Sequence, residues 1–133
     1  MPNPQTKTIS LPIADIWIND DHVIWISFKK TDSHDLNDAK QVVDAHNSLA
    51  NGQPCAIIAD LRNIKVGADR NARTYYVSEE SSRLKLAMAM VTNSSIQRMA
   101  GNVFLKLNRP PYPARIFTDT TSALKWLGIF EEK

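Results

Sequence analysis

The stretch GNVFLKLNRPPYPARIFTDTTSALKWL, residues 101–127, decides the fold of this chain. It begins inside a helix, and Pro110 prevents that helix from continuing. The short apolar strand Ala114–Phe117 follows, and Thr118 or Asp119 then occupies the N-cap position of a last helix. A helix, a strand and a capped helix in this succession predict an α/β architecture.

The residues before Gly101 extend the same alternation of strands and helices. Asp69 is a candidate N-cap of one helix, and residues 84–91 form a strand with large side chains at Leu84, Leu86, Met88 and Met90. The other face of that strand carries Ala87 and Ala89, which would let a helix approach closely. Ser94 or Ser95 begins the next helix, whose predicted buried stripe is Ile96, Met99, Ala100, Val103, Phe104 and Leu107.

The N-terminal half predicts an antiparallel hairpin, a helix and a buried strand. The hairpin comprises residues 13–19 and 22–28, and residues 36–50 show helical spacing with Asp35 or Ser33 as N-cap. Residues 55–59 then form a strand. The predicted order is ββαβαβαβα: one domain over residues 1–133, with a five-stranded mixed sheet, four helices and the first strand antiparallel at an edge.

Composition bounds the function. The chain has 133 residues, 43% of them apolar, and a net charge of +2 without a long run of one sign, so a nucleic-acid partner is not expected. One cysteine, Cys55, excludes an internal disulfide. The N-terminal residues lack the pattern of a signal peptide and no apolar run has the length of a membrane span, so a cytoplasmic protein is expected.

No motif in the sequence indicates catalysis, a metal or a cofactor. His22, His34 and His46 have unrelated spacing, and four glycines are too scattered to form a phosphate-binding loop. Cys55 begins a buried strand, where cysteine usually behaves as a small apolar residue. We therefore expect a protein that is not an enzyme and needs neither a metal nor a cofactor.

The sequence resembles a bacterial family of STAS-like proteins, most of all its uncharacterised SpoIIAA-like branch, also described as STAS/SEC14-like. The resemblance is carried by DLRNIK at residues 60–65 and by the pattern GN-FL-LN-P--P---FTD----L-WL of the C-terminal third. It implies the SpoIIAA-like fold and a non-enzymatic regulatory or protein-interaction module with a protein partner. The SEC14-like side of the comparison implies an alternative, a carrier or sensor of a small apolar or anionic lipid.

One departure from the STAS pattern concerns phosphorylation. The resemblance implies a serine or threonine acceptor at the start of the helix after the third predicted strand, where this chain has Asp69 and Arg70. Neither side chain carries a hydroxyl group, so the usual phosphoswitch is predicted to be absent. Asp69 is then either a simple N-cap or a permanently charged mimic of the acceptor.

Two sets of residues are candidate binding sites. Arg62, Lys65, Arg70 and Arg73 surround Asp69 near a helix N-terminus, where they would hold an acidic partner or an anionic headgroup, unless they are merely solvated. An apolar ligand would instead contact adaptable side chains that otherwise form an ordinary core: Tyr75, Met88, Met90, Met99 and Phe104.

Trp17 and Trp25 of the hairpin predict a homodimer. If all helices cover one face of the sheet, some of the hairpin's aromatic side chains face outward. Exposed aromatic patches commonly mark contacts between subunits.

Overall fold

The computed structural model describes residues 7–130, which contain a six-stranded mixed sheet whose strand order follows the chain. The strands are β1 (Thr8–Ser10), β2 (Ala14–Ile18), β3 (Val23–Phe28), β4 (Cys55–Asp60), β5 (Lys85–Val91) and β6 (Ala114–Phe117). The first three strands are antiparallel neighbours, and β3 to β6 are parallel. Parallel neighbours need crossover connections, and helices supply them here.

The helices begin and end largely where the sequence predicts. They are α1 (Leu36–Ala50), α2 (Arg70–Tyr76), α3 (Glu79–Ser82), α4 (Ser95–Asn108) and α5 (Thr120–Leu127), followed by a 3₁₀ turn at Gly128–Phe130. Asp35 forms a capping box with Asp38 at the start of α1, and Asn51 ends that helix in the left-handed region with φ of 52°. Ser94 and Asp119 are the N-caps of α4 and α5.

The described residues have six strands and five helices, so the prediction of five strands and four helices is wrong in number. The additional strand, β1, pairs with β2 and takes the edge position predicted for the first strand. It is three residues long with a single apolar residue, Ile9, which is too short to show a period. The additional helix, α3, is a single turn capped by Ser78.

The helices cover both faces of the sheet. Side chains of α1 and α2 pack on one face, and Ala123 and Leu127 of α5 pack on the other against Ala87 and Ala89. The close approach predicted at these two alanines is confirmed. The assumption that all helices lie on one face is wrong, because the small side chains of β4 and β5 accept α5 on the second face.

Trp17 and Trp25 lie on the α5 face, beyond the helix. Their rings stack with centroids 5.8 Å apart, and each side chain is partly exposed. Trp25 packs at the margin of the core beneath α5. The homodimer stays a prediction.

The apolar side of α4 is not buried as predicted. Met99 is 66% exposed, Val103 43% and Leu107 71%, whereas Phe104 is partly buried against the core. The helix packs closely on β6 at Gly101, where an added Cβ would lie 2.9 Å from Ile116 Cδ1. Met99 and Val103 instead border a cavity. The side chains of Ile96 and Ala100 lie outside the described part of the structure.

Candidate functional site

A cavity of about 520 Å³ lies between the sheet and helices α1, α2 and α4; we call it the central cavity. Its wall is mostly apolar and consists of side chains from strands, helices and the loops between them. The apolar side chains include Ile26, Phe28, Val42, Val43, Leu61, Ile64, Met88, Met90, Met99, Val103 and Phe104. Since Met99 and Val103 are also exposed to solvent, the cavity opens beside α4.

Small residues in the wall leave part of this space unfilled. Ala59 of β4 contributes only a methyl group to the wall. Gly67 and Ala68, in the loop before α2, also line the cavity, and an added Cβ at Gly67 would have no neighbour within 4 Å. Protein cores normally leave few voids larger than a water molecule, so a space of this size is a specific feature of the chain.

Lys85, at the start of β5, brings a positive charge into this apolar wall. It is 8% exposed, and its Nζ donates to Ser81 Oγ at 3.3 Å. The Nζ also lies 5.7 Å from the ring centroid of Tyr76 and 5.6 Å from that of Tyr112. The ion pairs among the described residues involve other cations, so no carboxylate neutralises Lys85. Burial lowers the pKa of its ammonium group to about 8.

A β-bulge gives Lys85 its position. In the pairing of β4 with β5, Cys55 is opposite Lys85 and Ala56 is opposite Ala87, so Leu86 is an extra residue. Such a bulge disturbs strict alternation and can re-aim a neighbouring side chain. Lys85 consequently lines the cavity together with Met88, although alternation alone would assign it to the face of Ala87.

His46 and Tyr112 add polar atoms without protein partners to the same wall. His46 Nδ1 donates to Asn47 Oδ1 at 3.0 Å, which leaves Nε2 as a buried acceptor with no partner. Burial lowers the pKa of His46 to about 4, so the ring is neutral at pH 7. The hydroxyl group of Tyr112 is also buried and unpartnered, and burial raises its pKa.

The polar groups nearer α2 are better satisfied. His34 Nε2 and Tyr76 Oη are 2.6 Å apart, and burial lowers the pKa of His34 and raises that of Tyr76. Arg73 Nη1 donates to the carbonyl oxygen of Ala68 at 2.9 Å, while its Nε has no partner. These contacts fix the loop before α2 against the wall of the cavity.

Four of the five residues predicted to contact an apolar ligand line the cavity. They are Met88, Met90, Met99 and Phe104. Tyr75 packs against the core from outside the wall, where Lys40 Nζ lies 6.0 Å from its ring centroid. Burial and a hydrogen bond with Glu80 raise the pKa of Tyr75 to about 12.

Lys85, His46 and Tyr112 are residues of the site that were not predicted from the sequence. His46 is correctly predicted on the buried side of α1, but no pattern marked it as lacking a partner at Nε2. Tyr112 sits in a loop whose three prolines already explain its order. The lysine inside an otherwise apolar strand, LKLAMAMV, was the available signal for Lys85.

The predicted basic set does not form one open anion site. Arg62 donates from Nε and Nη2 to the carboxylate of Asp60, each at 2.9 Å, and Lys65 Nζ lies 2.7 Å from Asp32 Oδ1. Arg73 turns toward the cavity, and Arg70 is exposed at the start of α2. An anion at this loop would therefore compete with two carboxylates, and docking of an acidic partner here stays a prediction.

Asp69 is the N-cap of α2, where its side chain accepts from the backbone N–H of Ala72 at 2.9 Å. The predicted cap is confirmed.

Burial raises the pKa of the Cys55 thiol to about 11, and its sulfur donates to the Gln53 carbonyl oxygen. Within residues 7–130, no three His, Cys, Asp or Glu side chains come together as metal ligands. Over the same residues, no helix combines the length and apolarity needed to span a membrane.

Residues 16–131 match the family model described as Domain of unknown function (DUF7793). No curated protein matches the chain. Among solved structures, the chain is similar to an uncharacterised DUF3478 family protein with a SpoIIAA-like fold from Shewanella loihica PV-4. The two share 17% identity with a TM-score of 0.62, over 96% of this chain and 98% of that one. A protein of unknown function from Arthrobacter sp. FB24 has 17% identity and a TM-score of 0.29, over 91% of this chain and 97% of that one. The Shewanella structure confirms the predicted SpoIIAA-like fold.

Proposed function

Because the chain belongs to the family described as Domain of unknown function (DUF7793), we propose its function from its own cavity: it binds one small, largely apolar molecule as a carrier or sensor. The observation that carries this proposal is the central cavity of about 520 Å³. Ligand pockets typically measure about 300–1,000 Å³ and combine apolar walls with a few polar groups, as this cavity does.

The opening of the cavity supports the same function. Met99 and Val103 contribute both to the wall and to the exposed surface of α4. Large apolar side chains exposed at the rim of an apolar space are unfavourable in water and favour an occupant that covers them. The three methionines of the wall would adapt to ligands of irregular shape.

A binding role accounts for the site better than catalysis. Ser81 and Lys85 are 3.3 Å apart, but the Ser81 hydroxyl already donates to the Tyr76 carbonyl oxygen at 2.6 Å. Lys85 is therefore not arranged to take its proton, as activation of a serine nucleophile would require. We propose that the protein is not an enzyme.

Native mass spectrometry of freshly purified protein tests this function. We expect one apolar adduct per chain that disappears on denaturation, or, if the ligand is lost during purification, uptake of one molecule of added decanol. A chain that emerges without an adduct and takes up no decanol in excess would contradict the proposal.

A protein-interaction role is the second candidate, and the outer side of α4 favours it. Leu107 is 71% exposed and continues the apolar stripe of Met99 and Val103 along the helix. Such a stripe is a typical surface for a partner protein. Exchange of Leu107 for serine should then abolish capture of that partner while leaving decanol uptake intact, because Leu107 does not line the cavity.

A further inference from the structure

We propose that the ligand carries a carboxylate, which Lys85 and Tyr112 bind inside the central cavity. This inference rests on the proposed function and names the chemical class of the ligand: an apolar molecule that ends in a single acid group. The two side chains lie on the same wall, with Lys85 Nζ 5.6 Å from the centroid of the Tyr112 ring.

Lys85 lacks a counter-ion among the described residues. A buried charge is strongly unfavourable unless it is paired and hydrogen-bonded. In the described part of the chain, Lys85 Nζ has one hydrogen bond, to Ser81, and two aromatic rings beside it, but no carboxylate. An ammonium group has three N–H donors, so donors remain for an acidic group from outside the chain.

The hydroxyl group of Tyr112 is a second buried donor that the ligand would satisfy. It is buried without a partner, and the Tyr112 side chain lines the same cavity. A carboxylate accepts through two oxygens, and one of them would receive the Tyr112 O–H while the other receives a Lys85 N–H. One bound group would thus satisfy two buried polar groups that the protein leaves incomplete.

The side chains around Lys85 favour a ligand with a single negative charge. Around Lys85 the facing groups are neutral: His46 from α1, Tyr76 from α2 and Tyr112 from the loop before β6. His46 Nε2 presents a lone pair rather than a proton, so it adds no second donor for a more highly charged group. The other cation of the wall, Arg73, donates from Nη1 to the Ala68 carbonyl oxygen and has an unpartnered Nε, so it is the alternative site for the acid group. A carboxylate, with one negative charge, matches the single charge of Lys85 better than a phosphate monoester does.

The experiment compares decanoate with decanol by calorimetry, because the two probes share an apolar chain and differ in the acid group. We expect decanoate to bind the wild-type chain about 10- to 100-fold more tightly than decanol. Lys85→Met should remove this difference and leave decanol binding within about threefold of wild type. Tyr112→Phe should weaken decanoate binding about 2- to 10-fold.

Arg73→Met is the matched control, since it also replaces a cation of the cavity wall by methionine. It should keep the preference for decanoate. Both variants replace a charged side chain by an apolar one of similar length, and a methyl-resolved NMR spectrum checks that each is folded.

Each other outcome identifies which proposal fails. Equal affinity for both probes would overturn the carboxylate inference and leave the proposed function standing. Loss of the preference in Arg73→Met but not in Lys85→Met would also overturn the inference, because it would move the acid group away from Lys85. If neither probe binds the wild-type chain, the proposed function fails together with the inference.

The pH dependence gives an independent readout. The affinity for decanoate should fall as the pH rises above about 8, where unliganded Lys85 loses its proton. An unperturbed lysine would hold its charge to about pH 10. A decanoate affinity that stays constant up to pH 9.5 would contradict a role for Lys85.

Discussion

Replacing Ala59 by leucine tests whether the space beside β4 is a cavity, because Ala56 on the same strand provides a matched control. Ala59 is 4% exposed and lines the cavity, whereas Ala56 is 3% exposed and lies in the core covered by α5. The two positions share strand, residue type and burial. They differ in the space available on their side of the sheet.

Leucine at position 59 and leucine at position 56 should change the free energy of unfolding in opposite directions. Leucine adds three carbon atoms, whose burial is worth about 0.8 kcal/mol each, and ordering its side chain costs about 0.5–1 kcal/mol. Ala59→Leu should therefore raise the free energy of unfolding by about 1–2 kcal/mol. At Ala56 the added atoms enter a close-packed core, and overpacking costs about 1–3 kcal/mol. Urea denaturation followed by tryptophan fluorescence measures both. Equal destabilisation by the two substitutions would refute the cavity and the function proposed for it.

Three further predictions concern charge and capping. Lys85 has a folded pKa of about 8, below its unfolded value, so the stability of the wild-type chain relative to Lys85→Met should rise by about 1–2 kcal/mol from pH 8 to about pH 9.5. Cys55, whose folded pKa of about 11 lies above its unfolded value, ionises in the unfolded chain over the same range and lowers the stability of both chains alike. Parallel pH profiles of the two chains in urea denaturation would exclude Lys85 as a source of the pH dependence. His46, with a folded pKa of about 4, should cost up to about 3 kcal/mol of stability as the pH falls from about 6.5 to 4. His46→Gln should lose less stability over this pH range in urea denaturation. An unchanged loss of stability would show that it comes from other groups. Asp35→Ala removes the capping box of α1 and should cost about 1 kcal/mol in urea denaturation. The exposed mid-helix exchange Asp44→Ala is its control, and equal effects would contradict the cap.

Much of the fold could be predicted from local signals in the sequence. Asp35, Ser94 and Asp119, each one of two predicted candidates, cap their helices, because a short polar side chain before an apolar-periodic run satisfies the unpaired N–H groups of the first turn. Ala87 and Ala89 likewise indicated the face that α5 covers. The capping signals act within a few residues of where they appear in the sequence.

The exposed side of α4 could not be predicted in the same way. Helical spacing shows that Met99, Val103 and Leu107 share a side, but not whether that side meets a sheet or solvent. The space beside the helix depends on small residues at distant positions of the chain, Ala59 in β4 and Ala68 before α2, which leave it unfilled. A cavity is a property of the assembled elements, so it has no periodic signal of its own.

Lys85 was missed for a different physical reason. Strand alternation assigns it to the face of Ala87, and a single extra residue at Leu86 overrides that assignment. A bulge depends on how two strands pair, which the sequence of one strand does not specify. The chemically distinctive residue of the cavity therefore became apparent only from the pairing of β4 with β5.

Methyl-resolved NMR during a titration with decanol tests the central claim most directly. With ¹³C-labelled methionine and isoleucine methyl groups, Met88, Met90, Met99 and Ile26 report on the cavity, and Ile58 reports on the opposite face of the sheet. We predict saturable shifts of the cavity methyl groups at one decanol per chain, with Ile58 little changed. Signals that do not move, or that move equally on both faces, would contradict a ligand-binding cavity in this protein.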